Sequence, residues 1–115
     1  MFGLRYLIIY FGFIFATTIN HLDFNHEDLE AYYKSGLNYY NARLYEDAKS
    51  TFEQILEYNW ESSELYYNLG NTYYRLNDIS GAVWAYEMCL YHEPTHKDAK
   101  FNLKLVNVNV KDLIE

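Results

Sequence analysis

The chain has 115 residues with nine Lys and Arg against sixteen Asp and Glu, a formal net charge of -7. That leaves room for one modest domain, excludes a large catalytic one, and argues against a surface built to neutralise nucleic-acid phosphates or lie on anionic lipid. Cys89 is the single cysteine, which excludes an internal disulfide framework and a zinc site on paired thiolates.

Met1 to Arg5 is a short segment with one positive charge, and Tyr6 to Ala16 is a mostly apolar run followed by Thr17 and Thr18. This is the layout of a secretory signal peptide, so residues 1–20 are expected to be a signal peptide or, uncleaved, a membrane anchor. Ile14 and Phe15 are large where a cleavage site wants small residues, which keeps both readings open. The run falls short of the roughly 20 apolar residues that span a bilayer as a helix.

Beyond the leader the sequence matches itself at a spacing of 34, with Tyr32 on Tyr66, Gly36 on Gly70, Tyr39 on Tyr73, Ala48 on Ala82 and Leu56 on Leu90. That period belongs to arrays of helical hairpins. Within each period the apolar residues recur at helical spacing: Leu29, Tyr33, Gly36, Leu37 and Tyr40 form one stripe, and Tyr45, Ala48, Phe52 and Ile55 another. Helices are therefore predicted near residues 28–41, 45–58, 62–76 and 79–92, in a first repeat over 28–61 and a second over 62–95.

Gly36 and Gly70 fall inside these helices, where glycine is about 1 kcal/mol worse than alanine. Their recurrence points to close approach, with Phe52 and Tyr86 of the paired helices seated against bare backbone and Ala48 and Ala82 narrowing the other side. Asn77 and Asp78 mark a turn, with Asp78 placed to cap the next helix, and Pro94 ends that helix. Thr95 to Asp98 reads as a capping box opening a further helix over 96–112, with Phe101, Asn102 and Leu103 in register with Tyr67, Asn68 and Leu69. Residues 96–115 are thus expected to be a capping helix. The alternation through Phe101, Leu103 and Leu105, then Val106, Val108 and Val110, is a competing strand signal, but a lone strand here would have nothing to pair with.

Tyr66, Leu69, Gly70, Tyr73, Ala82, Tyr86 and Pro94 stand at signature spacing, and in this the chain resembles the tetratricopeptide repeat (TPR) family. The first repeat is looser, with Ser35 in place of the usual leucine and Trp60 where the proline would stand. The resemblance implies an all-α solenoid of two repeats plus a cap, and a non-catalytic protein-interaction module. More narrowly, the run from Tyr66 to Leu76, then Asn102 to Leu105 and the closing Val110 to Glu115, resembles the BatE family of the bacterial Bat aerotolerance operon. That implies an exported cell-envelope protein working with membrane proteins that carry von Willebrand A domains. A component of another envelope assembly or secretion complex is the same-fold alternative.

His92-Glu93-Pro94-Thr95-His96 fits H-E-x-x-H to the letter, which raises a small zinc hydrolase as an alternative of another class. The motif works only with both histidines on one face of an unbroken helix, and Pro94 forbids that. Neither a cofactor nor a metal is expected, and Cys89 falls where a small residue meets the neighbouring helix, as a buried thiol.

In a TPR array the first helix of each pair lines the concave surface. By register that surface presents Tyr33, Leu37, Tyr40 and Asn41, then Tyr67, Asn68, Asn71, Tyr74 and Arg75, then Phe101 and Asn102. Asparagine can satisfy the backbone of an extended peptide, and tyrosine offers rigid contact area. Tyr39 and Tyr73 are expected to point toward the paired helix as core, Arg75 to meet an acidic group, and Asn71 and Tyr74 to be removable without loss of fold.

Overall fold

The structure, a computed structural model, describes residues 25–114, so the leader expected over 1–20 lies outside the described residues. Five helices follow one another: α1 (His26–Asn41), α2 (Tyr45–Glu57), α3 (Ser63–Arg75), α4 (Ile79–His92) and α5 (Lys97–Ile114). They begin and end within two residues of the predicted bounds, and residues 101–110 are helix throughout rather than strand. Among the described residues no helix is long and apolar enough to cross a membrane.

Local chemistry explains most of the boundaries. Asn25 opens α1 with a full capping box, its Oδ1 accepting from the Asp28 N–H at 2.9 Å. Ser62 Oγ accepts from Leu65 N–H at 3.1 Å at the start of α3, and Asp78 Oδ1 accepts from Gly81 N–H at 2.9 Å at the start of α4. Arg43 and Asn77, 34 residues apart, each take a left-handed backbone (φ 61° at both) to turn one helix into the next. Glu93, placed before Pro94, is extended at φ -137° and ψ 87°, and α4 stops there.

The start of α5 departs from expectation. Thr95 is not its cap: His96 is, with Nδ1 accepting from Ala99 N–H at 3.1 Å and its carbonyl accepting from Lys100 N–H at 3.2 Å. The Glu93 carbonyl takes the His96 N–H at 3.1 Å, closing a turn around Pro94 that delays the helix by one residue.

The hairpins are antiparallel, as their contacts run in opposite directions along the two helices of each pair. In the second, Tyr66 meets His92, Gly70 meets Tyr86, and Tyr73 meets Gly81. A Cβ on Gly36 would lie 2.5 Å from the Phe52 ring and one on Gly70 2.7 Å from the Tyr86 ring, so both glycines are sites of close helix approach. Phe52 and Tyr86 are almost wholly buried there, each burial stabilising the fold by about 2 kcal/mol. The hairpins stack through α2 on α3, where the Tyr73 hydroxyl donates to Glu53 Oε1 at 2.6 Å, and α5 packs on α4. Ile55, Leu65, Leu69, Ala85, Cys89 and Val106 complete one continuous core.

Tyr39 was expected to be core like Tyr73, and the structure corrects this: Tyr73 is 8% exposed and Tyr39 39%. Tyr73 lies under α2 of the preceding hairpin, whereas Tyr39 belongs to the first hairpin and has no such helix over it among the described residues. Trp60, standing where the second repeat has Pro94, is half-buried and plugs the seam, with its ring 5.9 Å from Tyr33.

Candidate functional site

Side chains from α1, α3 and α5 open onto one groove of about 400 Å³, walled by Tyr40, Tyr67, Asn71, Tyr74, Arg75 and Asn102. Those six of the eleven register-assigned residues are brought together. The other five are not in the lining. Tyr33 is drawn into the seam between hairpins, where Asn68 Nδ2 donates to its hydroxyl at 2.7 Å and Phe52 and Trp60 flank its ring. Leu37 packs on the core, Asn41 is exposed at the end of α1, and Phe101 is 63% exposed on α5.

Three residues that the helix-face rule did not name also line the groove: Tyr86, Leu105 and Val106. Leu105 stands 34 residues after Asn71 and 68 after Leu37, so the repeat register itself marks it. Tyr86 comes from the second helix of its hairpin and reaches the groove only because Gly70 lets its ring pass across α3.

The floor is a hydrogen-bonded knot. The Tyr86 hydroxyl donates to Asn71 Oδ1 at 2.6 Å, and Asn102 Nδ2 donates to Asn71 Oδ1 at 3.1 Å and to the Tyr86 oxygen at 3.4 Å. Asn71 therefore ties α3, α4 and α5 together as well as facing the groove, which revises the expectation that it is dispensable for folding. Burial raises the Tyr86 pKa above the ordinary tyrosine value, and the neighbouring Tyr67, Tyr40 and Tyr74 hydroxyls push the same way, so Tyr86 remains a neutral donor.

Among the described residues Asn71 Nδ2 has no hydrogen-bond partner, and since none of their fully buried side-chain nitrogens or oxygens is left unsatisfied, this amide reaches solvent. Around it stand the Tyr67 ring, 6.2 Å from Tyr86, and the half-exposed Tyr74. Arg75 lies 5.9 Å from the Tyr45 ring centroid, and hydrogen bonding to Tyr40 raises its pKa further, fixing a positive charge at the rim. Among the described residues Arg75 is the one charged side chain in the lining, and no carboxylate enters it despite the acidic composition. The groove thus offers rigid aromatic walls, amide and hydroxyl donors and one cation.

Two tetratricopeptide repeat models match the sequence, over residues 30–59 and 63–96, and together they cover more than half of it. The chain belongs to the tetratricopeptide repeat family. A comparison with curated proteins finds no match. TPR repeats are in general non-catalytic scaffolds that bind proteins or peptides, and here the first helices of the hairpins supply most of the groove lining.

The H-E-x-x-H run does not form one helical face. His92 is the last residue of α4, with Nε2 3.7 Å from Glu61 Oε2 and its ring stacked on Tyr66, while His96 caps α5. Among the described residues no three His, Cys, Asp or Glu side chains gather as a metal would need. Cys89 is fully buried in the core, and burial, with Glu93 and Glu64 nearby, pushes its thiol pKa up to about 11, far from a reactive thiolate.

Proposed function

We propose that this TPR chain is a protein-interaction module of the bacterial cell envelope that seats an extended peptide segment of its partner in the groove between α1, α3 and α5. The observation that carries the reading is the groove itself: Tyr40, Tyr67 and Tyr74 around the open Asn71 amide, with Arg75 at the rim. The Asn71 amide donates to a peptide carbonyl, the tyrosine rings take apolar side chains on either side, and Arg75 meets an acidic group. Lysines at the Tyr33 and Tyr67 positions would suit the capture of a chain-terminal carboxylate, and tyrosines there favour a segment passing through instead.

The signal-like first twenty residues support export, and the likeness to BatE-type proteins over 66–76, 102–105 and 110–115 supports partners with von Willebrand A domains. The test is capture of partners from the cell envelope on the tagged chain. Tyr74→Ala with Arg75→Ala, two exposed positions outside the core, is expected to lose the captured protein while keeping full helix content. Retention of the partner by that variant would overturn the groove as the binding surface, and a partner set without von Willebrand A domains would point to another envelope or secretion assembly.

A further inference from the structure

On the far side of α5 from the groove lies a second concavity of about 450 Å³. Leu90 and Leu103, packed on the core, line it together with the exposed Val108 and with Lys100, Lys104 and Lys111, and no carboxylate is among the lining residues. The repeat register says what this slot is. Lys100, Lys104 and Asn107 stand 34 residues after Tyr66, Gly70 and Tyr73, the three α3 residues that hold α4. Leu90, beside them, stands 34 after Leu56, which packs on the core one repeat earlier. By register the slot is therefore the place where a second hairpin helix would pack on α5.

Its chemistry is not that of a TPR helix. Close seating in both hairpins needs glycine, because a Cβ at Gly36 or Gly70 would overlap the partner ring, and on α5 that position is Lys104. The two tyrosines that grip α4 are replaced by Lys100 and Asn107. A helix lying here is held further off and must answer lysine ammonium groups across an apolar strip. We propose that this face of α5 docks an acidic amphipathic helix of a partner protein, with an apolar stripe on Leu90, Leu103 and Val108 and carboxylates flanking it toward Lys100 and Lys104. The concentration of positive charge is local, since the chain as a whole carries -7.

The test uses a helix-stabilised synthetic peptide of the length of α4, 14 residues, with a leucine stripe flanked by glutamates, and a twin with lysines in place of the glutamates. Fluorescence anisotropy against the full chain is expected to show binding of the glutamate helix that weakens with salt, and none of the lysine helix. Lys100→Glu with Lys104→Glu, both exposed, should weaken the glutamate helix about tenfold or more and admit the lysine helix. Tyr74→Ala with Arg75→Ala should leave this binding unchanged, so that failure of the slot and failure of the groove can be told apart. Equal binding of both peptides, binding of neither, or loss of binding in the Tyr74 and Arg75 variant would overturn the proposal. Lysine-dependent capture by phosphatidylglycerol vesicles, or lysine-dependent self-association in the absence of peptide, would replace it with a lipid surface or a second copy.

Discussion

The two hairpins share a register but not a quality of construction. In the second, α3 buries Leu65, Tyr66, Leu69, Gly70, Thr72 and Tyr73, whereas α1 in the first buries Leu29 and Gly36 alone. The difference comes from position in the stack: α3 is covered by α2 on one side and α4 on the other, while among the described residues α1 has only α2 and the edge of α3. Caps and turns follow the same trend. Asp78 caps α4, but Leu44 precedes α2 with no side chain to offer, and the left-handed turn residue is Asn77 in one hairpin and Arg43 in the other. A repeat is thus stabilised as much by its neighbours as by its own sequence, which is the behaviour of a one-dimensional array.

Perturbations at matched positions should expose that asymmetry. The largest effect is expected at the paired glycines. Gly70→Leu forces the Tyr86 ring off α3 and should destabilise the array by about 3 kcal/mol, a large fraction of the stability of a domain of this size. Gly36→Leu meets the Phe52 ring as closely, but the damage should stay in α1 and α2 while α3 to α5 keep their amide protection in hydrogen exchange. Equal, global unfolding by both would mean that the hairpins are one cooperative unit.

Next in size is the pair Tyr39 and Tyr73. Tyr73→Ala removes a buried ring and its hydroxyl bond to Glu53, an expected loss of about 3 kcal/mol, whereas Tyr39→Ala should lose less than about 1 kcal/mol by thermal denaturation. A smaller loss is expected at Asn71, where alanine leaves the buried Tyr86 hydroxyl and the Asn102 amide without their shared acceptor, for about 1 to 2 kcal/mol. The Leu37 position, its counterpart in the first hairpin, makes no such bond. The smallest effect has the opposite sign: Arg43→Asn relieves a side chain held at φ 61° and should raise the stability of the first hairpin by about 0.5 to 1 kcal/mol.

How much of this was legible beforehand depended on what recurrence encodes. Gly36 and Gly70 at equal spacing, each facing an aromatic residue on the next helix, gave away close packing because nothing else explains glycine twice inside a helix. Helix bounds followed from apolar spacing, Asp78 and Pro94. Tyr39 is exposed where register suggests core, because register assigns a face and not the neighbour that covers it. The T-x-x-D pattern at Thr95 reads as a cap because it is local, while the start of α5 is set by the turn that Pro94 imposes. In the groove, the face rule found the walls and overlooked Leu105, which the same register marks. It could not have found the bonds from Asn68 to Tyr33 or from Tyr86 to Asn71, since those depend on distances across helices that no periodicity contains.

The groove as the binding surface is tested most directly by site-specific photocrosslinking in the native cell, with a benzophenone amino acid placed at Tyr74 or at Tyr91. Tyr74 lines the groove, and Tyr91, 78% exposed on α4, lies outside it. Partner adducts from position 74 and none from position 91 are the expected result; adducts from 91 with none from 74 would contradict it.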